Sequence, residues 1–177
     1  YFRSGLLESY LGCDPTGMTP VPNRWGIFVD APQPYVEYRI RDNVIGGNIR
    51  SGVFALHGSV YLSGNRIGIN RDLRGPLSNG ASGVYIGGGS HPTPFGAQLS
   101  DISHNYIGFN EHFGIAIASD AFGVSIRGNS IQANWQQGID FGLDGVTLET
   151  GDLTYTGPLQ VPAITSARWD EISGTTV

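Results

Sequence analysis

The chain contains no lysine. All ten basic residues are arginine, scattered without a basic run, and the net charge is −5. A phosphate-neutralising patch is therefore missing, and nucleic acid is not an expected partner. Charged residues make up 14 % of the sequence while aromatics reach 11 %, the reverse of a disordered tail. A single cysteine, Cys13, rules out an internal disulfide and leaves the redox compartment unread. No apolar run approaches the roughly 18 residues of a membrane-spanning helix, so insertion into a bilayer is not expected. The opening "YFRSGLLESYLG" has neither the apolar length nor the cleavage-like site of a signal peptide. It starts inside a repeat, as a piece of a longer protein would, or one whose leader is removed. There is no Asp-Asp pair and no nucleophile-elbow motif, and His57, His91, His104 and His112 have no metal-ligand spacing.

What is abundant is glycine, 27 residues, together with 10 prolines. Without a collagen period, this predicts many turns between short strands. A frame then recurs: "DNVIGGN" (42–48), "GNRIGIN" (64–70), "HNYIGFN" (104–110) and "GNSIQAN" (128–134), with "ESYLGCD" (8–14) as a degenerate first copy. Each copy is followed by a Gly-aliphatic piece: "GIFV" (26–29), "GVFAL" (52–56), "GVYI" (83–86), "GIAI" (114–117) and "GIDF" (138–141). From the second copy onward a third apolar piece precedes it: "VEYRI" (36–40), "VYL" (60–62), "LSDI" (99–102) and "VSI" (124–126).

With Asn43, Asn65, Asn105 and Asn129 as origin, Ile45, Ile67, Ile107 and Ile131 stand two residues on, with Leu11 matching in the first copy. Cys13, Gly47, Ile69, Phe109 and Ala133 stand four on, and Ile40, Leu62, Ile102 and Ile126 three back. Alternation of this kind marks strand faces, and all these positions are expected to point inward. Cys13 then reads as a small buried apolar residue. The origins are 22, 40 and 24 residues apart, the long interval holding turn-rich insertions "RDLRGPLSNGAS" and "GGGSHPTPFG". A unit of 22–24 residues with three short strands fits one coil of a parallel β-helix. A propeller blade is nearly twice as long, and a leucine-rich repeat needs a leucine-dominated frame. The predicted fold is all-β, a right-handed parallel β-helix of about five coils over 1–147. Residues 148–177 are a C-terminal cap or the start of a following β domain.

Stacked coils superpose equivalent residues, and an amide side chain carries both a donor and an acceptor. Asn43, Asn65, Asn105 and Asn129, with Asn48, Asn70, Asn110 and Asn134, are therefore candidates for a polar ladder at the corners, and spacing does not say which of each pair forms it. His104, in the place of Asp42, Gly64 and Gly128, reads as a turn residue.

The order G-[IV]-x-[IV], a short strand, then N-x-I-G-x-N resembles the right-handed parallel β-helix repeat proteins of bacterial secreted and cell-surface type, a pectate-lyase-like superfold. "GIDFGLDGVT" (138–147) followed by "TGPLQVPAITSA" (156–167) resembles their last coil and the segment after it. The resemblance implies an extracellular or surface location. It does not imply one activity, since lyases, hydrolases, epimerases, adhesins and phage spikes share the architecture. The run of Asp and Asn that relatives carry after the final Thr is replaced here by Leu148, Glu149, Leu153, Tyr155 and Leu159.

Between the inward positions of the third strand lie Phe28, Phe54, Tyr85, Ala116 and Asp140, all expected to face outward. The three aromatics either pack under loops or in an interface, or form a platform for sugar rings. Tyr10, Val44, Arg66, Tyr106 and Ser130 form a second outward column. Arg39, Tyr61, Asp101 and Ser125 form a third beside Glu37, with Arg39 and Asp101 two coils apart. Asp140, Asp144, Glu149 and Asp152 gather late in the chain. They suit turns and caps better than a calcium site, with Asp140 and Asp144 as the pair to hold a calcium ion if one binds. These features favour a non-catalytic scaffold or adhesion segment, with contact to polysaccharide as a further expectation. The alternative is a lyase or hydrolase on an acidic glycan, with arginines opposing substrate carboxylates. Association of copies through coil ends or the aromatic face is also expected.

Overall fold

The computed structural model describes residues 2–30, 36–87, 100–121, 123–145, 169–170 and 175–176. Three short strands recur in each turn of the chain. The first coil holds β1 (Phe2–Leu7), β2 (Tyr10–Leu11) and β3 (Ile27–Asp30). The second holds β4 (Val36–Arg41), β5 (Val44–Ile45) and β6 (Val53–His57). The third holds β7 (Ser59–Ser63), β8 (Arg66–Ile67) and β9 (Val84–Ile86). The fourth holds β10 (Ser100–Ser103), β11 (Tyr106–Gly108) and β12 (Ile115–Ile117). The fifth holds β13 (Val124–Arg127), β14 (Ser130–Gln132) and β15 (Ile139–Phe141). They stack into three five-stranded sheets: β1-β4-β7-β10-β13, β2-β5-β8-β11-β14 and β3-β6-β9-β12-β15. Every pairing within these sheets is parallel. This is the expected parallel β-helix of five coils.

The chain divides into two units, Tyr1–Val146 and Thr147–Val177. In the second, β16 (Trp169–Asp170) pairs antiparallel with β17 (Thr175–Thr176). The rest of that segment lies outside the described residues, as do His91, Glu149, Asp152 and most of "GGGSHPTPFG".

The interior is a column of aliphatics: Ile40, Leu62 and Ile102 from the first sheet, Ile45, Ile67 and Ile107 from the second, and Val53, Val84 and Ile115 from the third, all buried. Each stacked methyl-bearing side chain removes apolar surface from water, at about 25 cal/mol per Å². The corner between the first and second sheets turns through left-handed backbone at Glu8, Asp42, Gly64, His104 and Gly128, with φ between 49° and 68°. His104 is thus a turn residue, as its place in the frame suggests. One inward assignment fails. Four residues past the origin the chain is already turning at Gly47, Phe109 and Ala133 (φ 76°, 59° and 53°), so the second-sheet strands end after two or three residues. Ile69 is buried there, but Ala133 is exposed, and Cys13 is only partly buried where it bridges Pro20.

Two polar columns flank the second sheet. In the first, the Asn43 side-chain Nδ2 donates to Asn65 Oδ1 (2.9 Å), Asn65 to Asn105 (2.9 Å) and Asn105 to Asn129 (3.0 Å). Each Oδ1 also accepts the backbone N–H of the preceding coil, starting with Ser9 to Asn43. Each Nδ2 also donates to the carbonyl of the preceding coil's inward residue: Leu6, Ile40, Leu62 and Ile102. Three or more bonds per amide satisfy the backbone groups that the corner would orphan in a buried place.

The second column runs Asn48, Asn79, Asn110, Asn134 by the same geometry, with amide–amide distances of 2.8, 2.9 and 2.9 Å. Asn79 replaces the expected Asn70. Asn70 Oδ1 instead accepts the N–H groups of Arg74 and Gly75 (3.1 and 3.2 Å), capping its own loop. In the first coil Asp14 Oδ1 does the same for Met18 and Thr19, at 3.1 and 3.2 Å. Cys13–Pro20 and Ile69–Pro76 each close with an antiparallel bridge, so coils one and three carry matching inserted loops. The corner resumes at Asn23 and Asn79, each 14 residues past the origin rather than five. The N–H of Ile49 bonds the Asn23 carbonyl as that of Gly80 bonds Asn48 and that of Glu111 bonds Asn79.

The two loops meet across the second coil, where the Arg71 N–H donates to the Gly17 carbonyl (3.0 Å). Between them runs Gly46-Gly47, whose Gly47 N–H bonds the Leu77 carbonyl at 2.9 Å. A methyl group on Gly46 would overlap that same carbonyl oxygen, and one on Gly47 would strike the Gly12 carbonyl oxygen. The glycine pair is the consequence of a corner clasped from both sides.

Candidate functional site

The outward columns settle differently on each sheet. On the third, Phe28, Phe54 and Tyr85 align in register, as expected. Phe28 and Phe54 lie 5.8 Å apart at 7° between planes, and Phe54 and Tyr85 4.5 Å apart at 12°. Trp25 closes the stack at 5.1 Å from Phe28, with the Arg24 guanidinium 4.3 Å over its ring. The rings therefore turn their faces on one another. A sugar platform needs open faces, and this stripe offers mainly edges. It is an aromatic counterpart of the amide ladders, although Phe28 stays 49 % exposed.

The column does not continue outward. Ala116 is fully buried and Asp140 is 3 % exposed. Ala116 is too short to reach past Tyr85 and Asp140, its neighbours in register. Asp140 lies under the turn that follows β15, where the N–H groups of Leu143 and Gly145 favour its charged form. Burial, and then the Asp144 charge, outweigh them and push the Asp140 carboxyl above its usual range. Among the described residues its Oδ2 has no hydrogen-bond partner. Asp144 itself is exposed, and no group of three or more His, Cys, Asp or Glu side chains fit to hold a metal ion occurs among the described residues.

Beside the aromatic stripe, Asp30 and His57 form a pair at 2.7 Å through Nδ1. Among the described residues no hydroxyl or thiol bonds the other ring nitrogen of His57, so these residues complete no triad around the pair.

On the first sheet, Arg39, Tyr61 and Asp101 align as expected, but Arg39 and Asp101 do not act on one point. Arg39 sits 3.6 Å from Glu37 and over the Tyr61 ring at 6.0 Å, while Asp101 pairs with Arg127 at 2.8 Å. On the second sheet, Arg66 and Tyr106 are neighbours in register. Arg66 lines a groove of about 400 Å³ with Glu8, Tyr10, Asp42, Val44 and Arg71. Its opposed charges are balanced, and the Arg71 guanidinium lies 5.9 Å over the Tyr10 ring. Tyr106 stands clear of it at 44 % exposure.

One open depression involves residues that the repeat pattern passed over. His112, Phe113, Trp135, Gln136, Gln137, Leu143, Asp144 and Gly145 surround a space of about 840 Å³ at the corner between the second and third sheets. The Trp135 N–H bonds the Asn110 carbonyl at 3.0 Å, which fixes Trp135 one residue past the second ladder. Its indole is 85 % exposed. The signal was a lone tryptophan beside a corner asparagine, in a column otherwise made of Arg24, Ile49, Gly80 and Glu111, so no repetition drew attention to it.

No curated protein and no solved structure matches the chain. A family model for the right-handed β-helix region matches residues 25–152, which span the β-helix from its first coil to its last. Stacked parallel coils, two amide ladders and this match together place the chain in the right-handed β-helix family.

Proposed function

We propose that the chain is a non-catalytic scaffold of a bacterial extracellular or cell-surface protein that contacts carbohydrate from its surface. One observation carries this reading: the aromatic side chains in the third sheet's outward column, and the charged ones in the first sheet's, are engaged with their neighbours. The aromatic faces are stacked, Arg39 is held by Glu37 and Tyr61, and Asp101 by Arg127. An enzyme acting on an acidic glycan would need arginines and carboxylates converging on one substrate point, within hydrogen-bond reach of it. Arg39 and Asp101 are instead separated by Tyr61 in their column. Incubation with polygalacturonate and alginate is expected to give neither unsaturated-product absorbance nor new reducing ends. Turnover on either polymer would overturn the scaffold reading.

A further inference from the structure

We propose that the groove at Trp135 binds a neutral polysaccharide chain. This rests on the carbohydrate-contacting reading above and assigns it a place and a substrate class. A tryptophan 85 % exposed is unusual, because the indole is the largest apolar surface a side chain can offer. Trp135 has no role in the core, and among the described residues no ring or guanidinium is stacked on it. Its faces are thus open where those of the Phe28–Phe54–Tyr85 stripe are closed. A pyranose presents a flat C–H face that packs on such a ring, with hydroxyls around its rim.

The surroundings suit those hydroxyls. Gln136, Gln137 and His112 border the same depression and supply donors and acceptors at its wall. A volume of about 840 Å³ lies within the usual 300–1,000 Å³ of ligand sites. The space is open to solvent rather than a closed cavity, so a polymer can lie across it. Charge narrows the class. Among the described residues the lining holds neither Arg nor Lys, on a chain of net charge −5. A uronate chain would find no guanidinium or ammonium in that lining to pair with its carboxylates.

Affinity electrophoresis in gels containing xylan, mixed-linkage β-glucan or galactomannan tests this, with polygalacturonate as the acidic arm. At least one neutral polymer is expected to retard the chain and polygalacturonate is not. Trp135→Ala should lower affinity for the retarding polymer about tenfold or more, as loss of an exposed aromatic anchor does. Phe28→Ala should leave affinity unchanged, and circular dichroism should show both variants folded. Retardation that survives Trp135→Ala would overturn this site while leaving carbohydrate contact standing. Retardation by polygalacturonate alone would overturn the neutral class. No retardation by any polymer would overturn both this site and the carbohydrate part of the scaffold reading.

Discussion

The two amide columns do the same work with different sequence spacing. In the first, Asn43, Asn65, Asn105 and Asn129 head recognisable frames. In the second, Asn48, Asn110 and Asn134 stand five residues past their origins, whereas Asn79 stands 14 past Asn65. Yet Asn79 makes the same four bonds as Asn65: its Oδ1 accepts from Asn48 N and Nδ2, and its Nδ2 donates to the Ile45 carbonyl and Asn110 Oδ1. A solenoid therefore conserves position along the stack, not count along the chain. An insertion is absorbed wherever it leaves and re-enters the coil at adjacent points.

The strongest way to break this equivalence is to truncate both. Asn65→Ala and Asn79→Ala should each cost roughly 4 kcal/mol in urea unfolding, because each strands several buried groups. Asn70→Ala removes only a loop cap and should cost about 1 kcal/mol. If Asn70→Ala proved as damaging as Asn65→Ala, and Asn79→Ala mild, the second column would follow sequence spacing after all.

This contrast also marks what was legible beforehand. The coil number, the aliphatic core and the first ladder follow from residues recurring at near-constant spacing, since stacking demands the same residue at the same height. Asn79 was hidden by the loop at 70–76, which also supplied a decoy in Asn70. The aromatic column was legible as a column, but ring orientation was not. Whether Phe28, Phe54 and Tyr85 offer faces or edges depends on side-chain rotation within a register that alternation alone gives. Ala116 and Asp140 kept that register but not the exposure, because size and a following turn decide burial. Trp135 was illegible for the opposite reason: no other coil has a tryptophan at its position, so no repetition marks it.

The clasp made by the two loops gives a second, smaller contrast. Gly46 lies beneath Leu77 in the second coil, while the matching residue of the fifth coil is the exposed Gln132. Gly46→Ala should destabilise by roughly 2 kcal/mol through overlap with a backbone that cannot yield cheaply. Gln132→Ala should change stability by less than about 0.5 kcal/mol. Chemical denaturation of the two variants measures the difference. A neutral Gly46→Ala would show that the loops do not press on the corner.

The smallest expected effect compares two aspartates at the ends of the stack. The Thr16 hydroxyl, with the N–H groups of the Asp14 loop, holds the Asp14 carboxyl below its usual range, while burial and then Asp144 raise that of Asp140. Their signs in pH-dependent stability are opposite. For Asp14 the unfolded chain binds the proton more readily, so its contribution is present above the unfolded value and is lost as pH falls through the folded one. For Asp140 the folded chain holds the proton more tightly. Its contribution is complete below the unfolded value and is lost as pH rises through the folded one. Asp140→Asn imitates the protonated acid and keeps an oxygen for the Leu143 and Gly145 N–H groups. Thermal midpoints measured from mildly acidic to neutral pH should then fall less with rising pH in Asp140→Asn than in the unaltered chain. Asp14→Asn should instead remove part of the loss seen on acidification. Calcium added at neutral pH should leave the unaltered midpoint in place. A clear rise with calcium, abolished by Asp140→Asn, would mean that the partnerless Oδ2 belongs to a cation site and not to a buried turn.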